Sequence, residues 1–226
     1  MPSLDDFLFQ PSQASASLFE PRHTNTFEGG VKYSGPVIGF TGTLYYTKLY
    51  NITSQGVENV NGHPTFVTRK LDGTNGWGME FEVVTRPAHD LELRSALTFT
   101  NTQATLGPAQ TGSRYRGLIP AIIDFEAGYT VARNTRLSFD THYVGERITT
   151  PIGVTPEQKL PSYTYANLGG TYKFEGSGFQ IGVGLLNVTN SEGLEEGDPR
   201  NISPANIFNI RPILPRRVQA EARYDW

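Results

Sequence analysis

The residues best suited to chemistry lie in the segment RLSFDTHY, 136–143, where polar side chains alternate with apolar ones. Ser138, Asp140 and His142 are the residue types of nucleophilic hydrolysis, in which a base must reach the nucleophile within hydrogen-bond distance. In an extended chain, however, Ser138 and His142 are about 13 Å apart. One histidine beside carboxylates is more often structural than catalytic. The sequence therefore predicts no catalytic residues and a protein that is not an enzyme.

The composition excludes several classes of protein. The chain has 226 residues, a net charge of −3 and no cysteine, so it lacks both a basic field for nucleic acid and thiolates for metals or disulfides. No run of about 18 apolar residues exists to form a transmembrane helix. The acidic run EGLEEGDPR, 192–200, lacks the spacing of a calcium loop. We therefore expect no metal site, no cofactor and no nucleic-acid partner.

Alternation of apolar and polar residues, which indicates a strand with two different faces, recurs nine times along the chain. The windows are 27–33, 38–46, 77–83, 91–99, 121–131, 136–143, 166–174, 179–185 and 216–226. No charge interrupts the apolar face in any window, and no helical period of any length occurs. The sequence predicts an all-β protein with about nine meandering antiparallel strands.

The polar face of these strands carries charged residues throughout. They are Glu28, Lys32, Glu80, Glu82, Glu92, Arg94, Asp124, Glu126, Arg136, Asp140, Lys173, Arg217, Glu221 and Arg223. One interpretation is a lumen that contacts a polar solute. The other is charge pairing on a wet wall, which is the default for solvated charges. The two interpretations are compatible.

The connections and the aromatic residues each fall into two groups, one at each end of the predicted strands. Short turns are predicted at 34–36, 86–90, 132–135 and 175–178, and they alternate with long connections at 49–75, 103–118, 147–162 and 188–214. Phe27, Tyr46, Trp77, Phe99 and Tyr143 fall near the long connections, whereas Tyr33, Tyr129, Phe174, Phe179, Tyr224 and Trp226 fall near the short turns. A transmembrane β-barrel has this arrangement, with aromatic girdles, short periplasmic turns and long extracellular loops. A soluble β-sandwich explains the alternation but neither the one-sided loops nor the two aromatic bands.

Four segments resemble, in the same order, parts of the β-barrel of TonB-dependent outer-membrane receptors. EPRHTNTFEGGVKYSGPVIGFTGTLYYTKLYNI resembles a mid-barrel segment, and GWGMEFEVVTRP resembles the strand that carries a Gly-x-Glu motif. GVGLLNVTN resembles a late strand that ends in Asn187, and RPILPRRVQAEARYDW resembles the closing strand with its terminal aromatic residue. No single motif is specific, but their ordered succession is.

The resemblance implies a transporter of the bacterial outer membrane. The family has an N-terminal plug with a TonB-binding motif, neither of which we find here, and a barrel of 22 strands. We therefore expect residues 1–25 to be an extracellular loop segment and residues 26–226 to be the C-terminal part of the barrel, in a chain that lacks an export signal. The implied partners are outer-membrane lipid, the TonB complex through the missing N-terminal part, the barrel-assembly machinery and a ligand such as a ferric siderophore.

The resemblance also assigns roles to residues outside the strand pattern. The terminal aromatic residues Tyr224 and Trp226 correspond to the strand end that the barrel-assembly machinery recognises. Residues of the outer loops capture the ligand in this family, and the candidates are Arg114, Tyr115, Arg116 and His63. The polar face of the strands is expected to line the lumen and to contact the plug. Its expected lumen-lining residues are Glu80, Glu82, Glu92, Arg94, Asp124, Glu126, Arg136 and Asp140.

Two alternatives remain open, a small self-standing outer-membrane pore and a soluble β-sheet binding module. The strand count bears on the first of them. Nine hairpin-connected strands place the first and the last in the same direction, whereas an all-antiparallel barrel needs an even number of strands. We therefore predict an open sheet that does not pair residues 27–34 with residues 216–225.

Overall fold

The computed structural model describes residues 21–60, 63–71, 73–105, 111–114, 119–148, 159–196 and 210–225, and every regular element in these ranges is a β-strand. The strands are β1 (His23–Ser34), β2 (Ile38–Tyr50), β3 (Ile52–Val60), β4 (His63–Leu71), β5 (Gly73–Ala88), β6 (Leu91–Thr105), β7 (Thr111–Arg114), β8 (Ala121–Ala132), β9 (Thr135–Val144), β10 (Arg147–Ile148), β11 (Lys159–Leu160), β12 (Tyr163–Lys173), β13 (Phe179–Leu186), β14 (Leu194–Glu196), β15 (Ile210–Pro212) and β16 (Arg217–Tyr224). The described part of the chain contains no helix long and apolar enough to cross a membrane.

Nine of these strands form one antiparallel meander. Their order in the sheet is β1-β2-β5-β6-β8-β9-β12-β13-β16, with β7 added beside β6. The predicted fold class and strand count are confirmed. The first strand begins at His23, three residues before the predicted boundary between the loop segment and the barrel.

The alternation of short and long connections is also confirmed, although two boundaries differ. Strand β5 continues to Ala88, so the second turn consists of residues 89–90 rather than 86–90. The predicted long connection 49–75 contains the hairpin β3–β4, paired from Ile52 with Leu71 to Val60 with His63. Neither strand of this hairpin alternates between apolar and polar residues along its length, which is why the period-2 pattern did not predict it.

The two faces of the sheet differ in composition as predicted. Large apolar side chains project from one face into the surroundings, with Phe27 73%, Val218 72% and Leu44 64% exposed. The buried apolar residues in the described ranges are few, namely Val144, Ile148, Leu160 and Ala166. No second sheet covers the apolar face within the described residues, and a soluble protein rarely leaves so large an apolar surface in water. The architecture is therefore not a β-sandwich.

The aromatic residues form two bands on this face. At the long-connection end, Phe27, Tyr46 and Trp77 stand in one register row, and the rings of Trp77 and Phe99 are 5.4 Å apart. At the short-turn end, Tyr33 stacks on Phe40 at 5.6 Å, and Phe174 contacts both Tyr172 and Phe179, at 4.9 and 5.4 Å. Trp226 lies outside the described residues.

Strands β1, β2 and β5 continue four residues beyond the aromatic band at the long-connection end, to His23, Tyr50 and Gly73. The sequence pattern predicted that these aromatic residues lie nearer the strand ends. The extension was not predicted because its residues do not alternate: β1 and β5 have only polar residues and glycine there, and Leu49 and Tyr50 of β2 are adjacent in the chain. Ladder hydrogen bonds continue regardless of side-chain polarity.

The two edges of the sheet do not meet. Strand β1 pairs only with β2, and β16 pairs only with β13, so no ladder joins His23–Ser34 to Arg217–Tyr224 in the described structure. This confirms the prediction from the odd strand count. Unpaired edges of this length need partner strands, because free ladder groups promote association.

The turn between β12 and β13 provides a prediction about stability. Gly176 and Gly178 have φ values of 70° and 67°, and a Cβ on Gly178 would overlap the carbonyl oxygen of Asp225, whereas a Cβ on Gly176 meets open space. We expect Gly178→Ala to lower the free energy of unfolding by about 2–3 kcal/mol and Gly176→Ala by about 1 kcal/mol. Urea unfolding in detergent measures both. Equal losses would show that the contact with Asp225 has no energetic effect.

Candidate functional site

The face opposite the apolar one gathers all the predicted charged residues. The register runs from Arg94 through Glu126 to Asp140, and a neighbouring row places Asp124 beside His142. Alternate residues of β5, β6 and β9 project to the same face, which brings Glu80, Glu82, Glu92 and Arg136 to it. We call this surface the charged face. The predicted set is thus assembled on one side, although the sequence did not specify its pairings.

Glu92 is the centre of an ion-pair group near the short-turn end. Arg86 donates to Glu92 Oε2 from Nε at 2.9 Å and from Nη2 at 2.6 Å, and Arg136 Nη2 lies 3.9 Å from Oε1. Arg94 Nε lies 3.9 Å from Glu82 Oε1. These side chains are substantially exposed, so each pair contributes at most about 1 kcal/mol. Arg86 was missed because its position was predicted to belong to a turn.

A second group of polar side chains lies further along β8, β9 and β12. Asp124 hydrogen-bonds to Nδ1 of His142, and the imidazole ring lies 5.4 Å from the ring of Tyr165. Asn167 Nδ2 donates to Asp140 Oδ2 at 2.6 Å. Ser138 is not the partner of His142; its hydroxyl occupies the space above Gly169. The arrangement is a carboxylate–imidazole pair without an adjacent nucleophile among the described residues.

Asn187 connects this group to the base of the last long connection. Its backbone N–H donates to Asn167 Oδ1 at 2.8 Å, and its own side-chain amide donates to the carbonyls of Ser191 and Leu214, both at 3.0 Å. Its Oδ1 accepts from the backbone N–H of Ser191 at 2.8 Å, and its φ is 51°. The residue is 4% exposed. The family resemblance indicates Asn187 only as a motif position, but an asparagine at a strand end is a signal for a left-handed turn residue.

A glycine shapes the charged face at one further position. A Cβ on Gly128 would overlap the guanidinium group of Arg136. The missing side chain therefore lets Arg136 lie flat across β8, within reach of Glu92. Glycine in a strand interior is a signal for such a close approach, but it does not identify the side chain that fills the space.

Part of the charged face lines a concavity of about 260 Å³ between β6, β8, β9 and β12. Its ionisable lining comprises Glu92, Asp124, Glu126 and Asp140 with Arg94, Arg136 and His142. Such a lining can hold a polar solute or a polar protein segment by charge and hydrogen bonds. No group of three or more His, Asp and Glu side chains in the described ranges is placed to hold a metal ion.

Beyond the aromatic band at the long-connection end, described residues of two long connections contact each other around Arg147. Arg147 is 4% exposed, donates to the carbonyl of Leu194 and lies with its guanidinium carbon 5.8 Å from the ring centroid of Tyr163. Tyr163 in turn donates to Glu195 Oε1 at 3.3 Å. The junction holds the start of the 145–162 connection against the 187–216 connection.

The predicted ligand-capturing residues are only partly described. His63 begins β4 and Arg114 ends β7, where it stands in register with Gln103. Tyr115 and Arg116 lie outside the described residues. Of the predicted assembly residues, Tyr224 is in register with Phe179, at the short-turn end.

A single antiparallel sheet with one uncovered apolar face and one charged face is the construction of a transmembrane β-barrel wall. The family described as TonB dependent receptor-like, beta-barrel matches residues 1–188. The protein therefore belongs to the TonB-dependent receptor β-barrel family. A search of functionally curated proteins returned no match.

Solved structures of similar fold include transporters and receptors. The chain superposes on the copper transporter OprC with a TM-score of 0.72 and 13% identity, over 91% of this chain and 31% of that one. For BauA, the ferric preacinetobactin receptor from Acinetobacter baumannii, the TM-score is 0.67 and the identity 19%, over 90% and 29%. For the ferric citrate transporter FecA the values are 0.70 and 13%, over 88% and 30%. The chain thus spans about a third of the length of these proteins.

Proposed function

We propose that this chain forms part of an outer-membrane TonB-dependent receptor that imports a scarce solute, such as a ferric siderophore, at the expense of energy delivered through TonB. The observation that carries the proposal is the pairing of an uncovered apolar face with a charged face that holds a polar concavity. Lipid accounts for the first face, and a lumen accounts for the second. The names of the similar structures, which describe copper and ferric-chelate transport, support the class of solute.

The proposal extends to the partners of the sheet. The unpaired edges of β1 and β16 are completed by further strands of the same barrel, and the charged face contacts a plug. The charged face also contacts the solute, together with residues of the long connections such as His63, Arg114, Tyr115 and Arg116. The end of β16, with Tyr224 and Trp226, is the segment that the barrel-assembly machinery recognises. The chain alone does not transport, because an open sheet encloses no lumen.

An uptake assay tests the function. Cells that express the protein from its native gene are grown under iron or copper limitation and offered a panel of labelled ferric siderophores and copper. We expect accumulation of one of these solutes, and we expect it to disappear when TonB is deleted. Uptake that persists without TonB, or a protein that does not fractionate with the outer membrane, would contradict the proposal.

A pair of charge-neutralising variants tests the role of the concavity in the same assay. We expect Asp124→Asn to weaken uptake about tenfold, because it removes a charged hydrogen-bond acceptor from the concavity. Glu28→Gln is the control, since Glu28 lies on the same face at the exposed edge strand β1, away from the concavity. If the two variants had equal uptake, the concavity would not be the solute-contacting surface.

A further inference from the structure

Another concavity lies on the charged face, at the long-connection end of β1, β2, β5 and β6. Its volume is about 410 Å³, within the range of about 300–1,000 Å³ that small-molecule sites occupy. It shares no lining residue with the concavity around Asp124. Its lining combines hydroxyl groups with apolar surface, from Thr24, Thr47, Thr74, Thr102, Tyr45 and Leu49. We call this site the hydroxyl cleft.

Two glycines of β5 give the cleft its shape. A Cβ on Gly78 would overlap the ring and the hydroxyl of Tyr45, so the bare backbone lets that ring lie across β5 and lets its hydroxyl reach Thr100 Oγ1 at 2.8 Å. A Cβ on Gly76 would stand 3.2 Å from Thr102 Oγ1. Glycine in a strand interior occurs where another group must approach the backbone closely. The side chains that pack over β5 therefore form the floor of the cleft.

Thr74 is the residue of the lining that indicates a ligand. It is 3% exposed, and its Oγ1 has no hydrogen-bond partner among the described residues. The hydroxyl of Thr47, in contrast, is paired with that of Thr26 at 3.1 Å. A hydroxyl group buried without a partner is unfavourable, and native proteins keep few such groups. A ligand hydroxyl in the cleft would supply the missing bond.

The charges of the lining favour an uncharged ligand. The described residues that line the cleft include no carboxylate, and those on β2, β5 and β6 are all uncharged, so that Arg22 and His23 beside β1 are the basic ones. A threonine hydroxyl both donates and accepts hydrogen bonds, as a sugar hydroxyl does, whereas strong binding of an anion uses charged donors. The ring of Tyr45 and the side chain of Leu49 provide apolar surface for the C–H face of a sugar.

We propose that the hydroxyl cleft binds a neutral saccharide group of the imported solute. The inference rests on the proposed function, because it takes the charged face as the lumen wall and the long connections as the outer loops. The cleft then lies at the entrance to the lumen, on the outer side of the concavity around Asp124. The solute is either an oligosaccharide or a ferric chelate that bears sugar groups, since both present the same hydroxyls to Thr74.

The test measures sugar binding by calorimetry on the protein purified from its native gene. The detergent is a polyoxyethylene ether, which has no sugar headgroup, and the probes are neutral trisaccharides of glucose, mannose and galactose. We expect at least one of them to bind, and we expect Thr74→Val to weaken its affinity about tenfold, the effect of one hydrogen bond. The same substitution should not lower the Tm measured without sugar, because Thr74 Oγ1 has no protein partner to lose.

Thr43→Val is the matched control. Thr43 lies on the charged face of β2, opposite Glu80 in the register, and it does not line the cleft. Its replacement should leave the sugar affinity unchanged. An uptake assay then separates the two kinds of solute. A labelled trisaccharide that accumulates identifies an oligosaccharide transporter, whereas one that only competes with a sugar-bearing ferric chelate identifies a chelate transporter.

Three results would overturn the inference. They are a failure of every neutral trisaccharide to bind, equal affinities of the Thr74→Val and Thr43→Val variants, and displacement of the bound sugar by citrate, which would show an anion site. A fall in the sugar-free Tm of Thr74→Val would also count against it, because the hydroxyl would then have a structural role. Each result can occur in a protein whose uptake of a ferric siderophore depends on TonB, in which case the proposed function stands and only the ligand of the cleft is wrong.

Discussion

Replacing Val183 with arginine is expected to destabilise the assembled protein by about 2–4 kcal/mol, the cost of a cation on the lipid face near the bilayer midplane. Val183 lies in β13, between Gly170 of β12 and Ala220 of β16, and its side chain is 56% exposed on the apolar face, four residues from Phe179 of the aromatic band at the short-turn end. In water an arginine at such an exposed position would cost little. A large loss therefore reports that lipid, rather than solvent, covers this face.

The same strand offers the matched control. Gln180 lies three residues from Val183 and shares a register row with Lys173 and Arg223 on the charged face. We expect Gln180→Arg to change the free energy of unfolding by less than about 1 kcal/mol. Heat-modifiable mobility on gels and urea unfolding in lipid vesicles measure both variants. Equal tolerance of the two changes would reverse the assignment of the faces.

Replacing Asn187 with alanine is expected to cost about 3–4 kcal/mol, because the side chain satisfies buried backbone groups on both sides of the last long connection. The substitution leaves the carbonyls of Ser191 and Leu214 and the N–H of Ser191 without this partner. It also forces a residue with a Cβ and no stabilising side-chain bond into a left-handed conformation. Unfolding in urea measures the loss, and limited proteolysis within 187–216 localises it.

Two comparisons separate these causes. Asn187→Gly keeps the permissive backbone but loses the side-chain bonds, so we expect it to recover about 1 kcal/mol relative to alanine. Asn190 also has a positive φ, of 50°, but it is exposed and accepts a single bond from Arg216 at 3.3 Å. Asn190→Gly should therefore be nearly neutral. A loss for Asn190→Gly equal to that for Asn187→Gly would mean that the buried side-chain hydrogen bonds of Asn187 stabilise this connection no more than the one exposed bond of Asn190.

Local pattern predicted the sheet because each of the nine strands separates an apolar face from a polar one. Val183, Val218 and Leu44 all stand where period-2 alternation places them, since side chains of a strand project alternately and a one-residue shift would reverse the faces. The same rule failed for β3 and β4. Neither strand of that hairpin alternates between apolar and polar residues, so its sequence carries no period of two.

The pairings on the charged face were not predictable in this way. His142 lies four residues from Ser138 in the chain, yet its hydrogen-bond partner is Asp124, eighteen residues away on the adjacent strand. Which side chains meet across a ladder depends on the register of two strands and on the length of the turn between them. One sequence window contains neither quantity.

The sequence by itself determined the strand faces, the side on which the long connections lie, and the odd strand count that leaves β1 and β16 unpaired with each other, because these follow from local periodicity and from parity. The tertiary structure decided which charges meet in the concavity and how Asn187 holds the last connection. These features join residues that are distant in the chain. They exist only once the ladder hydrogen bonds have set the register of each strand against its neighbour.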